Sequence, residues 1–163
     1  MKTSFLYAGC FDSNGRVLLL SLKRGKCISV RMYLPGGKLS EGLSPDKEWK
    51  RFFLARKIAR QTGFTRFEKE GKSVPIETDL QLVPVTIGYC KKYPVVIVGV
   101  VSDKIMSSVG ALDMATFYSF GDFIKLKEVS SVQKSLILGI FASKENPNKY
   151  ERKEAKRHLR KCK

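Results

Sequence analysis

The chain has 163 residues, a length typical of one domain, and 43% of them are hydrophobic, so it can bury an ordinary core without disulfide or metal support. It carries 31 Lys and Arg against 15 Asp and Glu, a formal net charge of +16. This surplus indicates a polyanion as partner, such as RNA, DNA, an anionic membrane face or a polyphosphate, although a basic soluble surface without a partner is the simpler alternative. No apolar run reaches membrane-spanning length, so we expect no membrane segment.

The first strands are predicted from a turn between two apolar runs. Residues 4–11 and 16–22 read as strands, and the Asp-Ser-Asn-Gly sequence at 12–15 is typical of a hairpin turn. The consecutive residues Leu18, Leu19 and Leu20 favour burial on both faces of a sheet.

A helix is predicted after the Leu-Pro-Gly-Gly break at residues 34–37. Ser44, Pro45 and Asp46 form a helix-start signature, and Gly63 is a natural stop after Gln61 or Thr62.

The C-terminal half is predicted to hold three strands and a helix. The strands fall at residues 80–89, 95–101 and 117–123, and Ser130 or Ser131 caps a helix whose apolar face includes Val132 and Leu136. Strands before, between and after two core helices indicate an α/β fold in which helices cover a mixed sheet.

The cysteines point to a reducing compartment. Cys10, Cys27, Cys90 and Cys162 show no C-x-x-C spacing, and the chain has one histidine, His158, so a structural zinc site is not expected. Because Lys2 is followed by only a short mixed segment, no secretory signal is evident. We therefore expect free thiols in an intracellular protein, cytoplasmic or nuclear.

Residues 35–39, Pro-Gly-Gly-Lys-Leu, through Gly63 and Phe64 resemble the Nudix box. That pattern is a Gly, five residues, a Glu, seven residues, then Arg-Glu-apolar-any-Glu-Glu-any-Gly-apolar. The resemblance covers about residues 4–143. It implies a Nudix-type α/β/α sandwich with a mixed β-sheet at residues 1–143, followed by a basic C-terminal tail or helix at residues 144–163.

The chain matches the glycine, arginine and apolar positions of the box but not its glutamates. The retained positions are Gly37, Arg56, Ile58, Gly63 and Phe64. The three glutamates of the helix fall on Lys57, Arg60 and Gln61, and the early glutamate falls on Leu43, beside Glu41. The interval between the two glycines is also five residues longer than in the box.

These changes alter the chemistry that the resemblance implies. Nudix hydrolysis uses helix carboxylates to hold Mg²⁺, whereas Lys57 and Arg60 offer no acceptor atoms and would repel the ion. Their cations could instead bind phosphate directly. We therefore expect no catalytic residue, no bound metal and no cofactor, with Mg²⁺ only if hydrolysis is retained. A basic helix face without a ligand remains the plain alternative. The candidate phosphate-binding residues are Lys38, Arg56, Lys57, Arg60 and Gln61.

The C-terminal segment is rich in helix formers and lacks an apolar stripe, so we expect it not to dock as a core helix. It is either a disordered, solubilising end, a nuclear address, or an arm along a nucleic-acid backbone. The candidate nucleic-acid-binding residues are Arg152, Lys153, Lys156, Arg157, Arg160 and Lys161. Tyr33, Tyr89 and Tyr93 are candidate stacking surfaces for bases.

The sequence thus favours a catalytically inactive Nudix-like protein that binds RNA or a ribonucleoprotein particle, such as a ribosome or an mRNA-processing assembly. The alternatives are a divergent hydrolase of nucleoside diphosphate derivatives, capped RNA or polyphosphates, and a non-hydrolytic nucleotide sensor. A homodimer is compatible with the resemblance.

Overall fold

The computed structural model describes residues 5–12, 14–22, 31–38, 47–62, 66–69, 72–75, 81–87, 91–100 and 114–161. The strands are β1 (Phe5–Phe11), β2 (Val17–Leu22), β3 (Arg31–Tyr33), β4 (Gly36–Lys38), β5 (Arg66–Lys69), β6 (Lys72–Pro75), β7 (Gln81–Ile87), β8 (Lys91–Val100) and β9 (Met114–Tyr118). The helices are α1 (Lys47–Thr62), α2 (Phe120–Phe123), α3 (Ser131–Phe141) and α4 (Lys149–Lys161).

The strands form one mixed sheet and one separate hairpin. The sheet runs β3-β2-β1-β8-β7, with β4 also paired to β1 and β9 also paired to β2. The β1–β8 pairing is parallel, and the other pairings in this sheet are antiparallel. Among the described strands, β5 and β6 pair with each other as a separate two-stranded sheet. The predicted mixed sheet is therefore confirmed.

Both faces of the sheet are covered. Leu18, Leu19 and Leu20 are all fully buried, as predicted. Because neighbouring strand residues point to opposite faces, Leu19 contributes to the cluster with α3 and α4, while Leu18 and Leu20 face the other side. Helix α1 packs against β1, β4 and β9, and α3 packs against β2 and β7. The result is the predicted α/β/α sandwich.

The turn between β1 and β2 has the predicted Asn-Gly chemistry. Gly15 has a φ of 81°, and Asp12 Oδ1 accepts the backbone N–H groups of Asn14 and Arg16, each at 2.9 Å. The Arg16 guanidinium also pairs with the buried Asp12 carboxylate. A Cβ at Gly15 would come within 2.5 Å of Asn146 Oδ1, so this turn also packs on the segment between α3 and α4.

Two C-terminal elements differ from the prediction. The last strand is β9, and residues 120–123 form the short helix α2 instead, because the Ser119 side chain accepts the Asp122 N–H and caps it. Helix α3 begins after Ser130, as predicted, but Val132 is 45% exposed and Gln133 is buried in its place. Among the described residues, no helix combines the length and hydropathy of a membrane span.

Candidate functional site

The segment that opens the Nudix-like motif lies against β1. Gly36 and Gly37 have φ angles of 130° and 154°, a region that glycine tolerates far better than other residues. Gly36 pairs with Tyr7, and Ala8 donates its backbone N–H to the Pro35 carbonyl at 2.8 Å. We call residues 34–38 the glycine segment.

Two glutamine side chains hold the glycine segment from opposite faces of the sheet. From α1, Gln61 Oε1 accepts the Gly36 N–H at 2.8 Å, and Gln61 Nε2 donates to the Gly36 carbonyl at 3.1 Å. From α3, Gln133 Oε1 accepts the Leu34 N–H at 3.1 Å. A carboxylate at residue 61 could accept the N–H but would repel the carbonyl. The Gln61 amide therefore bonds to the backbone of Gly36, and its role in phosphate binding stays a prediction.

The side of α1 that faces away from the sheet carries cationic side chains. On the side of α1 that faces the sheet, Ala55 and Ile58 are buried, whereas Arg56 and Arg60, one turn apart, are exposed. Lys57 is half-buried, and its Nζ lies 5.7 Å from the centre of the Phe53 ring.

Three of the five predicted phosphate-binding side chains thus share the outer part of α1, namely Arg56, Lys57 and Arg60. The backbone of Lys38 lies in β4, two residues after Gly36, which Gln61 contacts. Its side chain is outside the described part of the structure, so its role stays a prediction.

The early glutamate of the box is better matched by counting back from Arg56. In the pattern this glutamate precedes the arginine by eight positions, which gives Glu48, the second residue of α1, rather than Leu43. The five extra residues then all lie between Gly37 and Glu48. Counting forward from Gly37 missed this residue because the insertion precedes the helix.

Magnesium ligation does not fit the described side chains of α1. Lys57 and Arg60 have no lone pair to offer, and the oxygen of Gln61 already accepts a backbone N–H. Within the described ranges, no three His, Cys, Asp or Glu residues are grouped so that they could hold a metal ion. The described side chains of this face therefore do not fit a magnesium ion.

Helix α4 is docked on the core, contrary to the prediction that its segment cannot dock. Ala155 is fully buried and Leu159 packs against the hydrophobic cluster, four residues apart on one face. The His158 and Phe120 rings pack in a T-shaped arrangement with their centroids 5.3 Å apart. A small alanine allows close approach, so one leucine and one ring complete a contact face that the sequence does not display as a stripe. The boundary at residue 143 stays a prediction.

The cations of α4 lie mostly on the opposite face. Arg152 is half-buried and donates to the Lys144 carbonyl at 3.1 Å, and Arg157 pairs with Glu154 at 2.6 Å. The exposed members of the predicted set are Lys153, Lys156, Arg157, Arg160 and Lys161.

The first turn of α4 carries a carboxylate in an unfavourable place. Glu151 Oε1 accepts the Phe120 N–H at 3.2 Å, but no hydrogen-bond donor among the described residues reaches its Oε2, which is shielded from solvent. Burial raises the pKa of Glu151. The Phe120 amide and the Asn146 side chain oppose this rise, and the nearby Asp12 carboxylate adds to it.

We expect Glu151→Gln to remove part of the pH dependence of stability. Since folding raises the pKa of Glu151, its contribution is fully present below the ordinary value of 4.5 and is lost as pH rises through the folded value. The glutamine can keep the Phe120 bond without burying charge. Urea denaturation midpoints of the wild type and the variant, measured between pH 4 and pH 7, would test this. The midpoint of the variant should exceed that of the wild type by more as the pH rises. Parallel curves would contradict it.

Among the cysteines, Cys10 is a buried free thiol, and burial raises its pKa to about 12. Cysteine nucleophiles require thiolate, so Cys10 is a core residue rather than a reactive one. Cys27, Cys90 and Cys162 lie outside the described residues.

The fold is shared with solved Nudix structures at low sequence identity. A MutT protein from a comparison of Aliivibrio salmonicida with Vibrio cholerae is 13% identical, with a TM-score of 0.55 over 87% of this chain and 98% of that one. A Nudix-family hydrolase from Clostridium perfringens is 13% identical (TM-score 0.53; 86% and 96% covered). An ADP-ribose pyrophosphatase from Streptococcus suis is also 13% identical (TM-score 0.52; 88% and 93% covered).

No protein-family model matches the sequence, and no curated protein matches it either. The similarity is therefore one of three-dimensional structure, and it covers most of this chain and nearly all of each neighbour. This chain has the Nudix fold.

Proposed function

We propose that this protein is a degenerate member of the Nudix superfamily that binds RNA, free or in a ribonucleoprotein particle, and does not hydrolyse it. The observation that carries this proposal is the charge of α1. At the three later glutamate positions of the Nudix box, this helix has a half-buried Lys57, an exposed Arg60 and a Gln61 hydrogen-bonded to Gly36. A surface of this kind attracts phosphate and repels divalent cations.

The presence of a second basic surface, on α4, favours a long ligand over a small one. The exposed cations of α4 lie on a helix that packs on the α3 side of the sheet, whereas α1 covers the other side. One nucleotide could not contact both surfaces, but an RNA chain or a particle surface could. Phosphate contacts of this type release counterions, so they supply affinity without sequence preference.

The two small-molecule alternatives, a divergent hydrolase and a nucleotide sensor, can both be tested with one nucleotide. An ADP-ribose pyrophosphatase has the same fold, so ADP-ribose is a suitable test of both hydrolysis and simple nucleotide binding. An intracellular location, cytoplasmic or nuclear, and a possible homodimer stay predictions.

The proposal predicts salt-sensitive RNA binding without turnover. Fluorescence anisotropy with a labelled mixed-sequence RNA should give a linear fall of log K with log salt between 50 and 200 mM, with a slope that counts the phosphates contacted. The same protein, incubated with ADP-ribose and Mg²⁺, should release no product. Binding of ADP-ribose by calorimetry without RNA affinity would favour the sensor. Magnesium-dependent hydrolysis that requires α1 would overturn the proposal.

A further inference from the structure

The docking of α4 determines which of its side chains can meet a ligand. The inner face of α4 is formed by four residues that contact or line the core and are spaced four, three and one apart, namely Glu151, Ala155, His158 and Leu159. Lys153, Arg157 and Arg160 recur at steps of four and three on the opposite side of the helix, and all are exposed. Because the helix is held by its inner face, these cations form a fixed row rather than a flexible tail.

An aromatic ring stands at the head of this row. Tyr150 precedes Lys153 by three residues and is 73% exposed, the highest value among the exposed large hydrophobic residues described. Its backbone is nevertheless fixed, since its N–H donates to Asn148 Oδ1 at 3.1 Å. Of the predicted stacking residues, Tyr33 is half-buried, whereas Tyr89 and the Tyr93 side chain lie outside the described part of the structure, so their roles stay predictions.

The spacing suits a nucleic-acid strand that follows the helix. With a rise of about 1.5 Å per residue, Tyr150 lies about 10 Å from Arg157 and about 15 Å from Arg160 along the helix axis. An exposed ring beside a track of cations is the combination with which proteins bind single strands, because the ring stacks on a base and the cations meet the backbone. A duplex keeps its bases stacked within itself and leaves such a ring without a partner.

We propose that the outer face of α4 binds single-stranded RNA, with a base stacked on Tyr150 and the following phosphates on Lys153, Arg157 and Arg160. This inference rests on the RNA binding proposed above and specifies the form of RNA. Tyrosine loses little side-chain entropy on binding, and the Asn148 side chain fixes the backbone from which the ring projects.

The test compares ligands with and without accessible bases, using the full chain throughout. Anisotropy would be measured for a labelled 12-nucleotide single strand and for the same sequence as a duplex, and inorganic polyphosphate would be used as a competitor. Tyr150→Ala should weaken single-strand binding about 5- to 150-fold, the range expected for one lost stack. It should leave duplex and polyphosphate binding unchanged, and Tyr150→Phe should retain wild-type affinity.

Charge variants separate the two parts of the site. Lys153→Gln with Arg157→Gln should lower the salt slope for all three ligands, whereas Tyr150→Ala should not change it. Wild-type protein that binds no RNA would overturn both this inference and the proposed function. RNA binding that is insensitive to Tyr150→Ala, or equally reduced for single strand and duplex, would overturn this inference alone.

Discussion

Ala155→Asp should destabilise the protein by about 3–5 kcal/mol, the usual cost of a buried charge without a partner. Ala155 is fully buried in the same hydrophobic cluster as Phe120 and Phe141. The new carboxylate would have to remain uncompensated there or separate α4 from α3. In the second case the rings of the cluster would be exposed to water.

The matched control is Lys156→Asp, one position along the same helix. Lys156 is exposed and about 100° around the helix from Ala155, so this variant introduces the same side chain into solvent, with a similar cost in helix propensity. Its stability should stay within about 1 kcal/mol of wild type. Urea denaturation followed by circular dichroism would measure both. If the two variants were equally stable, α4 would not be part of the core.

Docking of α4 also changes how its role in binding can be tested. Deleting the segment would remove Ala155 and Leu159 from the core, and any loss of RNA affinity could then come from unfolding. Substitutions on the outer face, such as Lys153→Gln, avoid this difficulty because these side chains are exposed.

Features that depend on neighbouring residues were predictable. The Asn-Gly turn requires only local hydrogen bonds, and the structure has them at Asp12. The run of three leucines predicted burial on both faces, and the structure buries all three. Ser130 caps α3 through an N–H three residues ahead.

Features that depend on distant partners were not predictable. Gln61 resembles a degraded ligand in the sequence, and its contact with Gly36 appears only when residues 25 positions apart meet. Gln133 contacts Leu34 across 99 positions, and nothing in its neighbourhood marks it. The docking face of α4 was missed because an apolar stripe is expected from large residues, whereas here a buried alanine and a single leucine provide most of the contact.

The candidate site was predicted in part for the same reason. The cations at Lys57 and Arg60 follow from their spacing on a helix, and both lie on the side of α1 away from Ile58. Tyr150 was overlooked because its exposure depends on the docking of α4. Glu48 was not matched to the early glutamate of the box because an insertion shifts the count from Gly37.

The double variant Lys57→Glu, Arg60→Glu should weaken RNA binding about tenfold or more at low salt. If both residues contact phosphate, each lost contact also removes about 0.7 from the salt slope for a single strand, so the slope should fall by roughly 1 to 2. Stability should change little, because Arg60 is exposed and Lys57 is only half-buried, with a ring contact at 5.7 Å as its described interaction.

A control of equal charge distinguishes a binding site from general attraction. Lys125→Glu with Lys127→Glu makes the same change in net charge at two exposed residues between α2 and α3. If RNA binds α1, the control should lose much less affinity than the α1 variant and keep most of the salt slope. If both pairs weaken RNA equally, the overall charge of the protein attracts RNA, and α1 is only one part of a uniformly basic surface. If neither pair has an effect, the cations of α1 do not contact RNA, and the α4 face must account for binding by itself.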